Sequence, residues 1–190
     1  MNIDVIRTGL IRENCYIVSD ENNVAAVVDP GDNAGKILAF IEEKGYKPEV
    51  ILITHGHFDH IGAAAEVKRK TGAKVAIHSA DKDALRFEPD IIVEDGDVVK
   101  CGDLEFAVIE TPGHTPGCVC YVCDNAMFSG DTLFYESIGR TDMEGGDFSE
   151  MRKSLAKLAA LPHKDMDVFP GHMQATTLEH ERMHNPFFGM

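Results

Sequence analysis

The sequence predicts an α/β chain in which two sheets pack together, helices lie outside them, and a site sits on one edge of the sandwich. Three observations carry this expectation. Strand-rich and helix-bearing segments alternate in both halves of the 190 residues. Each group of metal-competent side chains follows an apolar run of strand length. Residues 54–62, Thr-His-Gly-His-Phe-Asp-His-Ile-Gly, crowd His55, His57, Asp59 and His60 into the turn after Val50-Ile51-Leu52-Ile53.

The elements follow in order. Ile3 to Ile6, Cys15 to Ser19 and Val24 to Val28 read as strands, with Asp20 to Asn23 as a hairpin turn. Asp29-Pro30-Gly31-Asp32 then breaks the sheet. Lys36 to Lys44 is a helix, with Ile37, Leu38, Phe40 and Ile41 at helical spacing and Gly45 as its C-terminal cap. Val50 to Ile53 is a buried strand ending at Thr54, and a helix starts near Ile61 and runs over Ala63 to Lys70, capped near Gly72. Lys74 to Ile77 is a strand, Ser79 to Glu88 holds a short helix, and Asp95-Gly96-Asp97 is a turn. Leu104 to Ile109, Cys118 to Val122 and Ala126 to Ser129 are strands. Phe148 to Leu161 is a helix ended by Pro162, Val168-Phe169 is a short strand, and Thr177 to His184 is the last helix.

The length suits one domain, perceived as 1–190 without internal repeats or low-complexity segments. A composition of 44% hydrophobic and 26% charged residues is ordinary for a globular protein. A net charge of −14 repels phosphate backbones, so no nucleic-acid partner is expected. The N-terminus lacks a basic region followed by an apolar stretch, and no run reaches the length of a membrane span. Five cysteines without a secretory signal suggest reduced thiols and a cytoplasmic location. Cys118, Cys120 and Cys123 lie in a strand-like run, where core packing is favoured over a second metal site.

The 54–62 segment carries the chemistry. An H-x-H-x-D-H match at this chain's His and Asp frequencies is a chance event on the order of 10⁻³. Three imidazoles and a carboxylate at a strand's carboxyl end serve no packing need, and that end of a sheet commonly binds ligands. The donor set suits zinc, iron or manganese. Three further turns offer the same chemistry: His114 in Thr111-Pro112-Gly113-His114-Thr115-Pro116-Gly117, Asp131 in Ser129-Gly130-Asp131-Thr132, and His172 in Pro170-Gly171-His172. Stiff turns suit ligands that must be held in place before a metal arrives.

Taken together and in this order, these motifs resemble the metallo-β-lactamase superfamily, and within it the small hydrolases similar to glyoxalase II. The resemblance covers nearly the whole chain. It includes Asn14-Cys15-Tyr16-Ile17-Val18, Asp29-Pro30-Gly31, Ser137-Ile138-Gly139-Arg140-Thr141-Asp142, and the closing Thr176-Thr177 to Asn185-Pro186-Phe187. It implies a four-layer αβ/βα sandwich and a two-metal site. By that likeness His55, His57 and His114 hold one metal, Asp59, His60 and His172 hold the second, and Asp131 bridges them. Zinc is the expected ion, with iron or manganese as alternatives. The count of donors agrees, leaving room for water on each ion, as catalytic sites require.

Metal-assisted hydrolysis of a small thioester such as S-lactoylglutathione, or of a related ester, is the expected activity. Water ionised between two cations attacks the acyl carbon, with Asp131 between the metals and Asp59 as a candidate proton acceptor. By the same likeness the chain is expected to be a single domain without the C-terminal helical region of full-length glyoxalase II, and it carries Met173-Gln174 where relatives often have Gly-Pro after the last ligand. Substrates other than glutathione thioesters therefore stay open. So do a mononuclear iron persulfide dioxygenase, which would use His55, His57 and Asp131 or His114, and a lactone hydrolase on the same fold. A non-enzymatic metal-binding module is the least favoured reading. Arg140 is read as a structural ion pair in preference to a partner for a substrate carboxylate. His78, His163, His180 and His184 are read as surface or supporting residues. The sequence leaves the oligomeric state open.

Overall fold

The computed structural model describes residues 1–162 and 166–188. Two six-stranded sheets face each other. The first contains Asn2–Thr8 (β1), Glu13–Ser19 (β2), Val24–Val28 (β3), Lys47–Leu52 (β4), Lys74–His78 (β5) and Ile91–Val93 (β6), side by side in that order. Three helices are interleaved with its later strands: Ala34–Lys44 (α1), Phe58–Ile61 (α2) and Ala64–Thr71 (α3). The second contains Val98–Cys101 (β7), Leu104–Glu110 (β8), Val119–Cys123 (β9), Ala126–Gly130 (β10), Asp167–Pro170 (β13) and Thr176–Thr177 (β14). A two-stranded ribbon, Leu133–Phe134 (β11) with Ser137–Ile138 (β12), and the helices Phe148–Ala159 (α4) and Leu178–His184 (α5) complete the chain.

Alternation along the strands builds the layers. Odd residues of β9, Val119, Tyr121 and Cys123, point between the sheets, where they meet Tyr16, Val28, Leu52, Phe106 and Phe128. Cys120 points the other way, onto Met151, Leu155 and Leu158 of α4. On the far side of the first sheet, Ile37 and Ile41 of α1 and Val67 of α3 cover Ile17, Val27, Ile51 and Ile77. Each aliphatic side chain fully buried in these seams stabilises the fold by about 1.5–3 kcal/mol. The result is the expected sandwich of helices, sheet, sheet and helices.

The helix ends are set locally. Asn33, in left-handed backbone at φ 51°, accepts a hydrogen bond from the Lys36 amide and starts α1, and Gly45 at φ 69° ends it. Asp147 accepts from the amides of Ser149 and Glu150 to start α4, and Thr177 accepts from the His180 amide to start α5.

Several boundaries differ from the sequence expectation. The helix expected near Ile61 is two pieces, and α2 begins at Phe58, so Asp59 and His60 lie inside a helical turn. The helix expected within Ser79 to Glu88 shrinks to a single 3₁₀ turn, Lys82–Ala84. There Asp81 spends its carboxylate on distant groups instead of on a helix start. Strands β6, β7, β11, β12 and β14 have two to four residues each, too short for an alternation to register. Among the described residues no helix is long and apolar enough to cross a membrane.

Strand direction gathers the site. β3 and β4 are parallel, so Asp29 and residues 54–60 leave the first sheet at the same end. In the second sheet β8 and β10 each run antiparallel to β9, and β13 runs parallel to β10. Hence His114, Asp131 and His172 also emerge together. The Val119 amide donates to the Thr54 carbonyl at 2.9 Å and the Asn14 amide to the Gly171 carbonyl at 2.8 Å, tying the sheets at this edge. Gly130 permits the approach: a Cβ there would lie 2.3 Å from Thr54 Oγ1.

Candidate metal centre

All seven residues expected at the metal site converge on this edge. His57 Nδ1 lies 2.8 Å from His114 Nε2, and His172 Nε2 lies 3.1 Å from Asp59 Oδ2. His60 Nε2 stands 3.6 Å from Asp59 Oδ2. Asp131 reaches both halves: Oδ2 is 3.4 Å from His114 Nε2 and 3.6 Å from His172 Nε2, and Oδ1 is 3.4 Å from His60 Nε2. Two groups of donors could each hold a metal, His55/His57/His114 and Asp59/His60/His172. Gly171 keeps the centre open, since a Cβ there would sit 2.5 Å from both Asp131 Oδ1 and His60 Cε1.

The surrounding hydrogen bonds decide which nitrogen of each ring faces inward. Thr54 Oγ1 donates to Asp29 Oδ2 at 2.6 Å, so it accepts from His55 Nδ1 at 3.0 Å. His60 Nδ1 donates to Asp29 Oδ2 at 2.9 Å, and His114 Nδ1 donates to the Arg140 carbonyl at 2.7 Å. Each of these rings therefore turns an Nε2 lone pair toward the centre. His55 Nε2, His60 Nε2 and Asp131 Oδ1 are buried and have no hydrogen-bond partner. Lone pairs facing one another at 3.4 Å in a buried site call for a cation between them. The residues present fit a metal centre.

Electrostatics agree. Burial, followed by the neighbouring imidazoles, pushes His55 well below the usual histidine range, and burial with His114 lowers His57. Burial acts against the charge of Asp131, yet His60, His172 and His114 outweigh it and hold the carboxyl below its ordinary value. Asp59 is lowered in the same way, with His172 and His60 overcoming burial. Burial disfavours a charged His60, but Asp131 and Asp29 reverse this and raise it. The carboxylates thus demand positive charge at the point where His60 Nε2 faces them.

Asp29, His55 and His60 also lie close enough to form a third donor group. Asp29 is committed elsewhere: it accepts from the Thr54 amide at 2.7 Å as well as from Thr54 Oγ1 and His60 Nδ1. Both of its oxygens are thus engaged in holding Thr54 and the candidate ligand His60 in place. Asp81 does similar service, accepting from the Gly56 amide, Thr115 Oγ1 and the Gly117 amide at 2.6–2.9 Å, so the turn bearing His57 is bonded to the turn bearing His114. Asn14 Nδ2 donates to the carbonyls of Pro170 and Met173, and the Tyr16 hydroxyl donates to Pro170, which fixes the turn bearing His172. Sequence reasoning missed these supporting roles. Asn14 and Asp29 stood in motifs that carry the family resemblance, and Asp29-Pro30-Gly31 also marked a break in the sheet, but neither signalled a supporting role, and Asp81 gave no signal.

The remaining expectations resolve plainly. The Arg140 guanidinium makes two bonds to Asp142, at 2.7 and 3.0 Å, and only its backbone carbonyl serves the site. His78 bonds Glu110 at 2.9 Å, His180 bonds Glu136 at 3.0 Å, and the His184 ring packs on His180. His163 lies outside the described residues. All five cysteines are free and buried, and burial raises each thiol, Cys101 to about 12 and Cys120 to about 11. Among the described residues no candidate metal group includes a cysteine.

A His-rich metal site on the shared edge of two packed sheets, flanked by helices, defines a class of metallo-hydrolases. The chain belongs to the metallo-β-lactamase superfamily, whose sequence profile matches residues 8–172. It is 32% identical to hydroxyacylglutathione hydrolase GloC of Haemophilus influenzae, over 98% of each chain. Its fold is similar to the crystal structure of the BLEG-1 B3 metallo-β-lactamase, with a TM-score of 0.94 and 32% identity over 98% of this chain and 99% of that one. It is also similar to the di-iron-bound form of TTHA1623, with a TM-score of 0.86 and 34% identity over 97% of this chain and 99% of that one.

Proposed function

We propose that this protein is a binuclear metal-dependent hydrolase that cleaves a small thioester. The observation that carries the reading is the placement of Asp131, one carboxylate in reach of both donor groups. His55, His57 and His114 would hold one divalent ion, Asp59, His60 and His172 the other, and Asp131 would be shared. Zinc is the proposed ion because it takes imidazole and carboxylate donors without redox chemistry, and the same donors accept iron or manganese. Bound there, the ions supply acidification of water near neutral pH and positive charge for a developing oxyanion.

The chain's own residues do the rest. Thr54, Asp29 and the Arg140 carbonyl pin three imidazoles so that no reorganisation is needed when substrate arrives. Asp59 is less enclosed than His55 or His60, faces a surface cleft, and is held below its usual range, so it is ionised and placed to take a proton from water. The similarity to GloC supports a thioester as the bond that is cut.

The test is elemental analysis of protein purified under low oxygen, with S-lactoylglutathione and neutral thioesters assayed on the same sample. About two metals per chain with thioester turnover is the expected result. One iron per chain, no hydrolysis, and oxygen uptake with a persulfide would replace this reading with a dioxygenase.

A further inference from the structure

Beside Asp59 the surface opens into a cavity of about 450 Å³. Its wall carries Leu10 and Ile11, from the loop joining β1 to β2, and Phe58, which opens α2. These are large apolar side chains left in water: Leu10 is fully exposed, Phe58 77% and Ile11 55%. A single exposed leucine needs no explanation, but three around one cavity next to a candidate metal ligand do. The ionisable residues lining the cavity are Glu13, Asp32 and Asp59, of which burial raises Glu13 and leaves Asp32 and Asp59 to carry negative charge, and no Lys or Arg joins them.

The opposite flank is no more hospitable to an anion. The cleft beside His57, about 720 Å³, is lined by Asp81, Asp83 and Glu144 and likewise has no Lys or Arg. Arg140, the cation of the nearby turn, is paired bidentately with Asp142. A thiol adduct bearing carboxylates would meet two cavities whose linings carry carboxylates and offer no Lys or Arg to pair with its charge.

We propose that the Leu10–Ile11–Phe58 cavity seats an apolar group of the substrate, and that the substrate is a thioester or ester with an uncharged, apolar body. The inference rests on the hydrolase reading and narrows it. The cavity borders the candidate centre at Asp59, its volume suits a small-molecule group, and its exposed apolar surface is what such a group would cover.

The experiment uses the metal-loaded full chain and two series of neutral thioesters. One lengthens the acyl group from acetyl to hexanoyl on N-acetylcysteamine. The other enlarges an uncharged thiol on a constant acetyl group. S-lactoylglutathione is the charged comparison. In one of the series kcat/KM should rise by about threefold per added methylene, as burial of apolar surface dictates, and its best member should exceed S-lactoylglutathione. Leu10→Asp and Phe58→Ala should cut the ratio of kcat/KM between the longest and shortest members by about tenfold, with metal content unchanged as the control for folding. A flat response in both series, a ratio untouched by either substitution, or a clear preference for S-lactoylglutathione would overturn the proposal while leaving the hydrolase intact. No turnover of any thioester or ester with two metals bound would instead remove the hydrolase reading itself.

Discussion

Asp29 grips His60 at 2.9 Å, Oδ2 to Nδ1, and both side chains are buried. The same carboxylate takes two hydrogen bonds from Thr54, whose hydroxyl in turn accepts from His55. One residue outside the donor set thereby fixes the inward nitrogen of a ring in each metal group. Asp29→Asn should retain the fold, because Asn tolerates the left-handed backbone found there at φ 46°. An amide NH₂ in place of Oδ2 would face the His60 Nδ1 proton, so the ring should adopt the other tautomer and point Nε2–H at the centre. Metal affinity should fall by about 10–100-fold, the usual consequence of losing an orienting partner. Chelator competition on the folded variant measures this, and wild-type affinity would show that Asp29 does not set the tautomer.

Removing a donor itself should be harsher. His57 sits within 2.8 Å of His114, and Asp59 within 3.1 Å of His172. His57→Ala and Asp59→Ala should each lower thioester turnover by more than about 100-fold, beyond the loss of a residue that only orients a ligand. Circular dichroism should be unchanged, since neither side chain belongs to the hydrophobic clusters. Near-normal rates in folded variants supplied with metal would remove both residues from the assignment.

The candidate donors, which the fold brings to one edge, were legible in the sequence because a metal site demands particular side chains at strand ends, and residue type survives in a string of letters. His55, His57, Asp59, His60, His114, Asp131 and His172 could all be named that way. Their supports could not. Asp81 acts across 34 residues on Thr115 and across 36 on Gly117, and Asn14 acts across 156 on Pro170. Such roles depend on where the sheets meet. Periodicity gave β1 to β5 and β8 to β10 because their apolar runs are long. It gave nothing for two-residue strands such as β11 and β14, which exist through their partners' hydrogen bonds. The α2 turn was missed for the opposite reason: its polar residues read as a loop.

Glu13 yields a prediction in pH. Desolvation by burial raises its carboxyl from 4.5 to about 9, and Oε1 has no partner while Oε2 accepts from Thr8. A raised native pKa means that the folded chain keeps a proton the unfolded chain releases. Its stabilising effect is complete below about pH 4.5 and fades as pH climbs toward 9. Glu13→Gln has no proton to lose and retains an acceptor for Thr8. The urea midpoint of the wild type should therefore fall relative to that of Glu13→Gln between pH 5 and pH 9, at equal metal loading. A difference that stays constant across this range would mean that Glu13 is already ionised in the folded protein.

Met173 yields one in stability. Its backbone lies at φ 71°, in the left-handed region, directly after His172, and its side chain is half exposed. The turn is forced into that shape from outside, because Asn14 Nδ2 holds the Met173 carbonyl at 3.0 Å and the Asn14 amide holds that of Gly171. A residue with a Cβ pays about 1–2 kcal/mol for this conformation, whereas glycine adopts it freely. Glycine also loses more freedom on folding, which returns part of the gain. Met173→Gly should thus stabilise the protein by about 1 kcal/mol in urea unfolding, without altering metal content. An unchanged or lower midpoint would mean that contacts of the Met173 side chain offset the backbone strain.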